Sequence, residues 1–112
     1  MADRTAVTEV IITAALRVAV PIESGEDPEA AAVTVLQAIE GIRHVSLEEI
    51  GDITADDDRL FVETYARITF HLDPEGDDDP KTTVRNRLET IDEVVTIQNF
   101  QIASGPYRIE SW

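Results

Sequence analysis

The chain contains no cysteine, which removes thiol catalysis, thiolate metal sites and disulfide staples together. Lysine is nearly missing as well: Lys81 is the only one, and every other basic residue is an arginine. No stretch is apolar for long enough to span a bilayer, since the longest candidate, around residues 10–22, is broken by Thr13 and Arg17 and alternates. No charged-then-apolar leader with a cleavage site precedes it, so a cytoplasmic or particle-associated protein without membrane insertion is expected. A phosphate-cradling glycine loop is also lacking, and neither His44 nor His71 has the Ser, Asp and oxyanion-type glycine surroundings of a nucleophile and base. No enzyme activity, cofactor or metal is therefore expected.

What is abundant is negative charge. In 112 residues, 23 acidic side chains face 9 basic ones, for a formal net charge of −14. The length suits one domain with its own core. Its charge opposes binding to phosphate backbones, which requires clustered Lys and Arg, so nucleic acid is not the expected partner. Loss of lysine together with a surplus of Asp, Glu, Ala, Val and Thr resembles proteins of salt-in halophiles, in particular haloarchaea and their viruses. The resemblance implies a protein that works amid a high concentration of monovalent cations. At molar salt the Debye length falls to about 3 Å, and self-repulsion is screened.

The organising stretch is residues 59–72, RLFVETYARITFHL. Leu60, Val62, Ala66, Ile68, Phe70 and Leu72 alternate with Phe61, Glu63, Tyr65, Arg67, Thr69 and His71, interrupted only by Thr64, and this predicts a half-buried strand. Residues 9–22 alternate in the same way through Val10, Ile12, Ala14, Leu16, Val18 and Val20, with many β-branched side chains, and predict another. Asp27-Pro28 and Asp79-Pro80 each read as a helix start, the aspartate capping free amides and the proline occupying the first turn. The first helix is expected over 28–40 with Gly41 as its stop, and the second carries Val84, Leu88 and Ile91 inward. Between helix and organising strand, Val45, Leu47 and Ile50 or Ile53 predict a bulged edge strand, irregular at Gly51 and closed into a hairpin by the acidic turn at 55–58. A fourth strand is expected over 94–102 with its phase left open near Asn99, leaving residues 1–8 as an arm and 103–112 as a tail opened by Gly105-Pro106.

These pieces repeat. With Asp27-Pro28 laid on Asp79-Pro80, Leu16, Val18 and Val20 fall on Ile68, Phe70 and Leu72, and Leu36 and Ile39 fall on Leu88 and Ile91. Two such βαβ halves resemble the ferredoxin-like split βαβ fold. The resemblance covers residues 9–102 and implies an α+β domain with a four-stranded, mainly antiparallel sheet in the order 4-1-3-2, a central parallel pair and both helices on one face. A few archaeal families of predicted RNA-binding or exosome-associated proteins open in a similar way, with a strand, an acidic loop and an Ala-rich helix. Fold likeness of this kind carries no site.

With helices on one face only, the other face of the sheet is expected to collect Arg17, Phe61, Tyr65, Arg67 and His71. Such a surface suits self-association or the docking of another protein. A stacking platform for RNA is the alternative, although the glycine-and-aromatic signature of RNA-recognition sheets is missing from RLFVETYARITF. In the tail, Tyr107, Ile109 and Trp112 either fold back on the domain or anchor a partner. Asp77, Asp78 and Asp79, with Glu75 and Asp73 nearby, lack calcium-loop spacing and read as a solvated loop. His71 reads as half of a surface ion pair with Asp73 or Glu63, and Glu48-Glu49 as edge protection. The function expected is therefore non-enzymatic: a salt-adapted assembly protein that pairs with itself or with other subunits, for instance in a haloarchaeal virus particle. The alternatives are a small-molecule-sensing regulatory domain or an RNA-binding accessory protein.

Overall fold

Period-2 hydrophobicity resolves into four strands and the two Asp-Pro signals into two helices: β1 (Thr5–Pro21), α1 (Pro28–Gln37), β2 (Ile42–Asp56), β3 (Arg59–Leu72), α2 (Pro80–Glu89) and β4 (Val94–Ser111). The computed structural model describes residues 5–21, 27–74 and 79–111. The strands form one sheet in the order β2-β3-β1-β4, the expected 4-1-3-2 arrangement named from its other edge. Every neighbouring pair is antiparallel, including the central β1–β3 pair that was expected to be parallel. The reason lies in the connections. The α1 crossover brings β2 back in the direction of β1, and the two-residue hairpin at Asp57 and Asp58 then reverses β3, which inserts between them.

The alternation of β1 and β3 is realised as burial. Val10, Ile12, Ala14, Val62, Ala66, Ile68 and Phe70 are fully enclosed on one face, where Ala32 and Leu36 of α1 and Val84 and Leu88 of α2 close over them. Val94, Ile97, Phe100 and Ile102 of β4 pack against the same cluster. Both helices thus lie on one side of the sheet, and Arg87 of α2 donates to the backbone carbonyl of Glu40 beyond α1 at 2.9 Å, tying the ends of the two helices together. Thr64, the exception in the β3 pattern, also points inward. It is 4 % exposed, and its hydroxyl is satisfied by donating to the Glu49 carbonyl at 2.7 Å, beside a register shift in β2.

Four local readings are corrected. Asp27 and Asp79 do precede the helices, but neither side chain caps an amide. Their backbone carbonyls accept the first helical bonds, from Ala31 and Thr83, each at 2.9 Å. Helix α1 ends at Gln37 rather than Glu40, and a turn through Gly41, at φ 91°, leads into β2. Residues 5–8 belong to β1, and residues 103–111 continue β4 rather than forming a tail: Val7 pairs with Ile109 and Glu9 with Tyr107. Gly105 makes this possible. It adopts φ +89° at a point where an added Cβ would run into the Glu9 carbonyl oxygen, and the ladder shifts register there and resumes.

Each helix has 10 residues, about 15 Å of cover at 1.5 Å per residue, while the molecule extends 53 Å along its longest axis. The sheet therefore overhangs its helices. The repeat seen in the sequence is also built into the register: the shift that carries Asp27 onto Asp79 carries Ala14 onto Ala66, and these two are direct cross-strand partners in β1 and β3.

Candidate functional site

Because opposed residues in an antiparallel pair share a face, the register assigns every side chain of the uncovered side. Along β3 it presents Phe61, Glu63, Tyr65, Arg67, Thr69 and His71. Their β1 partners are Ala19, Arg17, Ala15, Thr13, Ile11 and Glu9. On β4, Tyr107 and Ile109 lie opposite Glu9 and Val7 and so stand on this same face. The structure thus brings Arg17, Phe61, Tyr65, Arg67, His71, Tyr107 and Ile109 to one surface. Trp112 lies outside the described residues, as do Glu75, Asp77 and Asp78 of the acidic loop.

The face is structured rather than a loose collection of side chains. The Arg17 guanidinium carbon lies 4.7 Å from the Phe61 ring centroid, and that of Arg59 approaches the same ring at 5.6 Å, close enough for cation–π attraction from both. Ala19, the cross-strand partner of Phe61, is 1 % exposed, so the sheet is sealed at this end. The Arg17 Nε is enclosed without a hydrogen-bond partner. Towards the other end, His71 Nε2 lies 3.0 Å from Glu9 Oε1 with both side chains half-buried. The polar partner that His71 meets is therefore its cross-strand neighbour Glu9, where the sequence points to Asp73 or Glu63.

Between these ends the face has a depression of about 220 Å³, floored by Ala15 and Gly51 and walled by Arg17, Glu63, Tyr65 and Gln98. Small-molecule pockets usually exceed roughly 300 Å³. Among the described residues no group of three or more His, Asp or Glu side chains could hold a metal ion, and no helix is long and apolar enough to cross a membrane. Sequence reasoning did not anticipate the depression, because Ala15 and Gly51 become neighbours only through the pairing of β1 and β2 on either side of β3. It also missed Arg59 as a second cation on Phe61. The i, i+2 spacing of those two residues on one strand was the available signal. No protein-family model, curated protein or solved structure matches this chain.

Proposed function

We propose that this protein is a non-enzymatic assembly module adapted to high salt, built on a ferredoxin-like arrangement and joined to its partner through the uncovered sheet face. The observation that carries the reading is the grouping of aromatic, aliphatic and arginine side chains on the one face that neither helix reaches. Tyr and Arg are the residue types that dominate binding energy at protein interfaces, and this chain places them together on one face although its net charge is −14. The partner is another protein subunit, either a copy of this chain or a component of a larger particle such as that of a haloarchaeal virus. A small-molecule sensor is the second reading, favoured by the depression beside Tyr65, although about 220 Å³ offers little room for a ligand.

The test is sedimentation in molar potassium chloride of the wild type and of Tyr65→Ala, with circular dichroism as the check on folding. Weaker association with unchanged helix content supports the reading. A Tyr65→Ala protein that unfolds outright would instead place this side chain in the domain's own core.

A further inference from the structure

We propose that the occupant of the open face is a second copy of this chain, stacked sheet on sheet about a two-fold axis that crosses the strands at Tyr65. The inference rests on reading that face as an interface and adds the identity and register of the partner.

Three features of the surface point to a copy. Charge is the first. On a chain of net charge −14, the middle of the open face balances Arg17 and Arg67 against Glu49 and Glu63, and at its hairpin end Arg59 stands opposite Asp56. Two such faces meet without the repulsion that the rest of the surface would impose. Area is the second. Four strands about 4.8 Å apart, paired over roughly twelve residues at 3.4 Å each, make a patch on the order of 800 Å², which matches one side of a standard protein interface. The third is that the alternative route to self-association, pairing of sheet edges, is obstructed. The β2 edge carries Glu48, Glu49 and Asp52 with three register shifts, and β4 is broken by shifts and by Pro106.

The register follows from the order of charges on β3. A two-fold axis lying in the interface at Tyr65 sets residue 63 of one copy over residue 67 of the other, so each Glu63 faces the partner's Arg67, twice. Both side chains are exposed, and neither forms an ion pair among the described residues. They lie about 7 Å from the axis, so the usual rotation of about 30° between stacked sheets displaces them by only about 3.5 Å. At the centre, each Tyr65 stands beside the depression floored by Ala15 and Gly51. Knob and hole are adjacent, and the two-fold axis lets the Tyr65 ring of each copy enter the depression of the other.

Charge reversal tests this directly. Sedimentation in about 1 M potassium chloride, where desolvated pairs keep much of their strength, is run on the wild type, Glu63→Arg, Arg67→Glu, the double variant and an equimolar mixture of the two single variants. The wild type is expected to be dimeric. Each single reversal sets like charges face to face and should weaken dimerisation by about tenfold or more. The double variant, and the mixture as a heterodimer, should recover it because opposite charges meet again. A dimer lost in Tyr65→Ala but indifferent to both reversals overturns this register and leaves the open-face reading standing. A dimer indifferent to all of these changes overturns both. A monomeric wild type overturns the second copy.

Discussion

Gly105→Ala is the most direct probe of how the end of β4 is held. At φ +89° an alanine would be strained, and its Cβ would lie 2.5 Å from the Glu9 carbonyl oxygen and 3.2 Å from the Tyr107 amide nitrogen. Both neighbours are backbone, so neither can swing aside as a side-chain tip would. The left-handed conformation costs a non-glycine residue about 1–2 kcal/mol, and relieving the contact means losing a ladder hydrogen bond, worth about 0.5–1.5 kcal/mol. A total of about 2–3 kcal/mol corresponds to a fall in Tm of about 10 °C for a domain of this size. The matched control is Gly51→Ala, where the nearest atom to an added Cβ is the Glu63 carbonyl oxygen at 3.4 Å and φ is not positive. Read at a protein concentration low enough to leave the chain monomeric, that change should be neutral or stabilising by about 0.4–1 kcal/mol through the unfolded chain. Thermal denaturation in molar salt measures both, and hydrogen exchange adds the location: the amides of Val7 and Glu9 should lose protection in Gly105→Ala while those of Ile68 and Phe70 keep theirs. A Gly105→Ala protein with unchanged Tm and unchanged exchange at Val7 and Glu9 would refute the account of β4 as a strand locked in place by this glycine.

Other consequences can be measured on the same preparation. Dialysis from molar potassium chloride into dilute buffer should abolish secondary structure by circular dichroism, because −14 charges are then unscreened; an equally stable fold at both salts refutes the halophilic reading. Phe70→Ala removes the largest fully buried side chain among the described residues and should cost about 3–5 kcal/mol, much of the total stability of a domain this size, as read from denaturant midpoints in high salt. Thr64→Val keeps the shape but deletes the bond to the Glu49 carbonyl, and a loss of about 1 kcal/mol is expected, with the exchange change confined to the β2 bulge.

Much of the sheet was legible because alternation is a strong signal when only one face is buried. Residues 59–72 form β3 over the bounds that the alternation predicts, while the phase near Asn99, which the alternation leaves open, is set by a register shift in β4 with Asn99 at φ 54°. Misreadings arose where one local signal admits two physical outcomes. The sequence reads residues 103–112 as a tail opened by Gly105-Pro106, and proline has no amide hydrogen to donate to a ladder. On an edge strand paired only with β1 that donor is dispensable, and the glycine absorbs the irregularity. Aspartate before Pro28 and Pro80 offers a side-chain cap, whereas its backbone carbonyl alone starts each helix. The site followed the same division. Which residues of β1 and β3 share the open face was readable from parity, but Tyr107 and Ile109 joined it only through the β1–β4 register, and the depression only through pairing across three strands.

The cross-strand pairing of Ala14 with Ala66 has a consequence for recognition. The axis relating the two halves passes between these residues, normal to the sheet, so at the level of the backbone the open face is nearly unchanged when turned by half a revolution. A partner that sensed backbone relief alone would find two equivalent poses, a degeneracy worth RT ln 2, about 0.4 kcal/mol. Side chains remove the degeneracy. The half-turn exchanges Glu63 with Ile11, Tyr65 with Thr13, Arg67 with Ala15 and Arg17 with Thr69, so charge and bulk fall on one side of the axis where small or apolar groups fall on the other. A duplicated scaffold thereby acquires a direction, carried by a handful of substitutions on one face while the buried face keeps the symmetry that folds it.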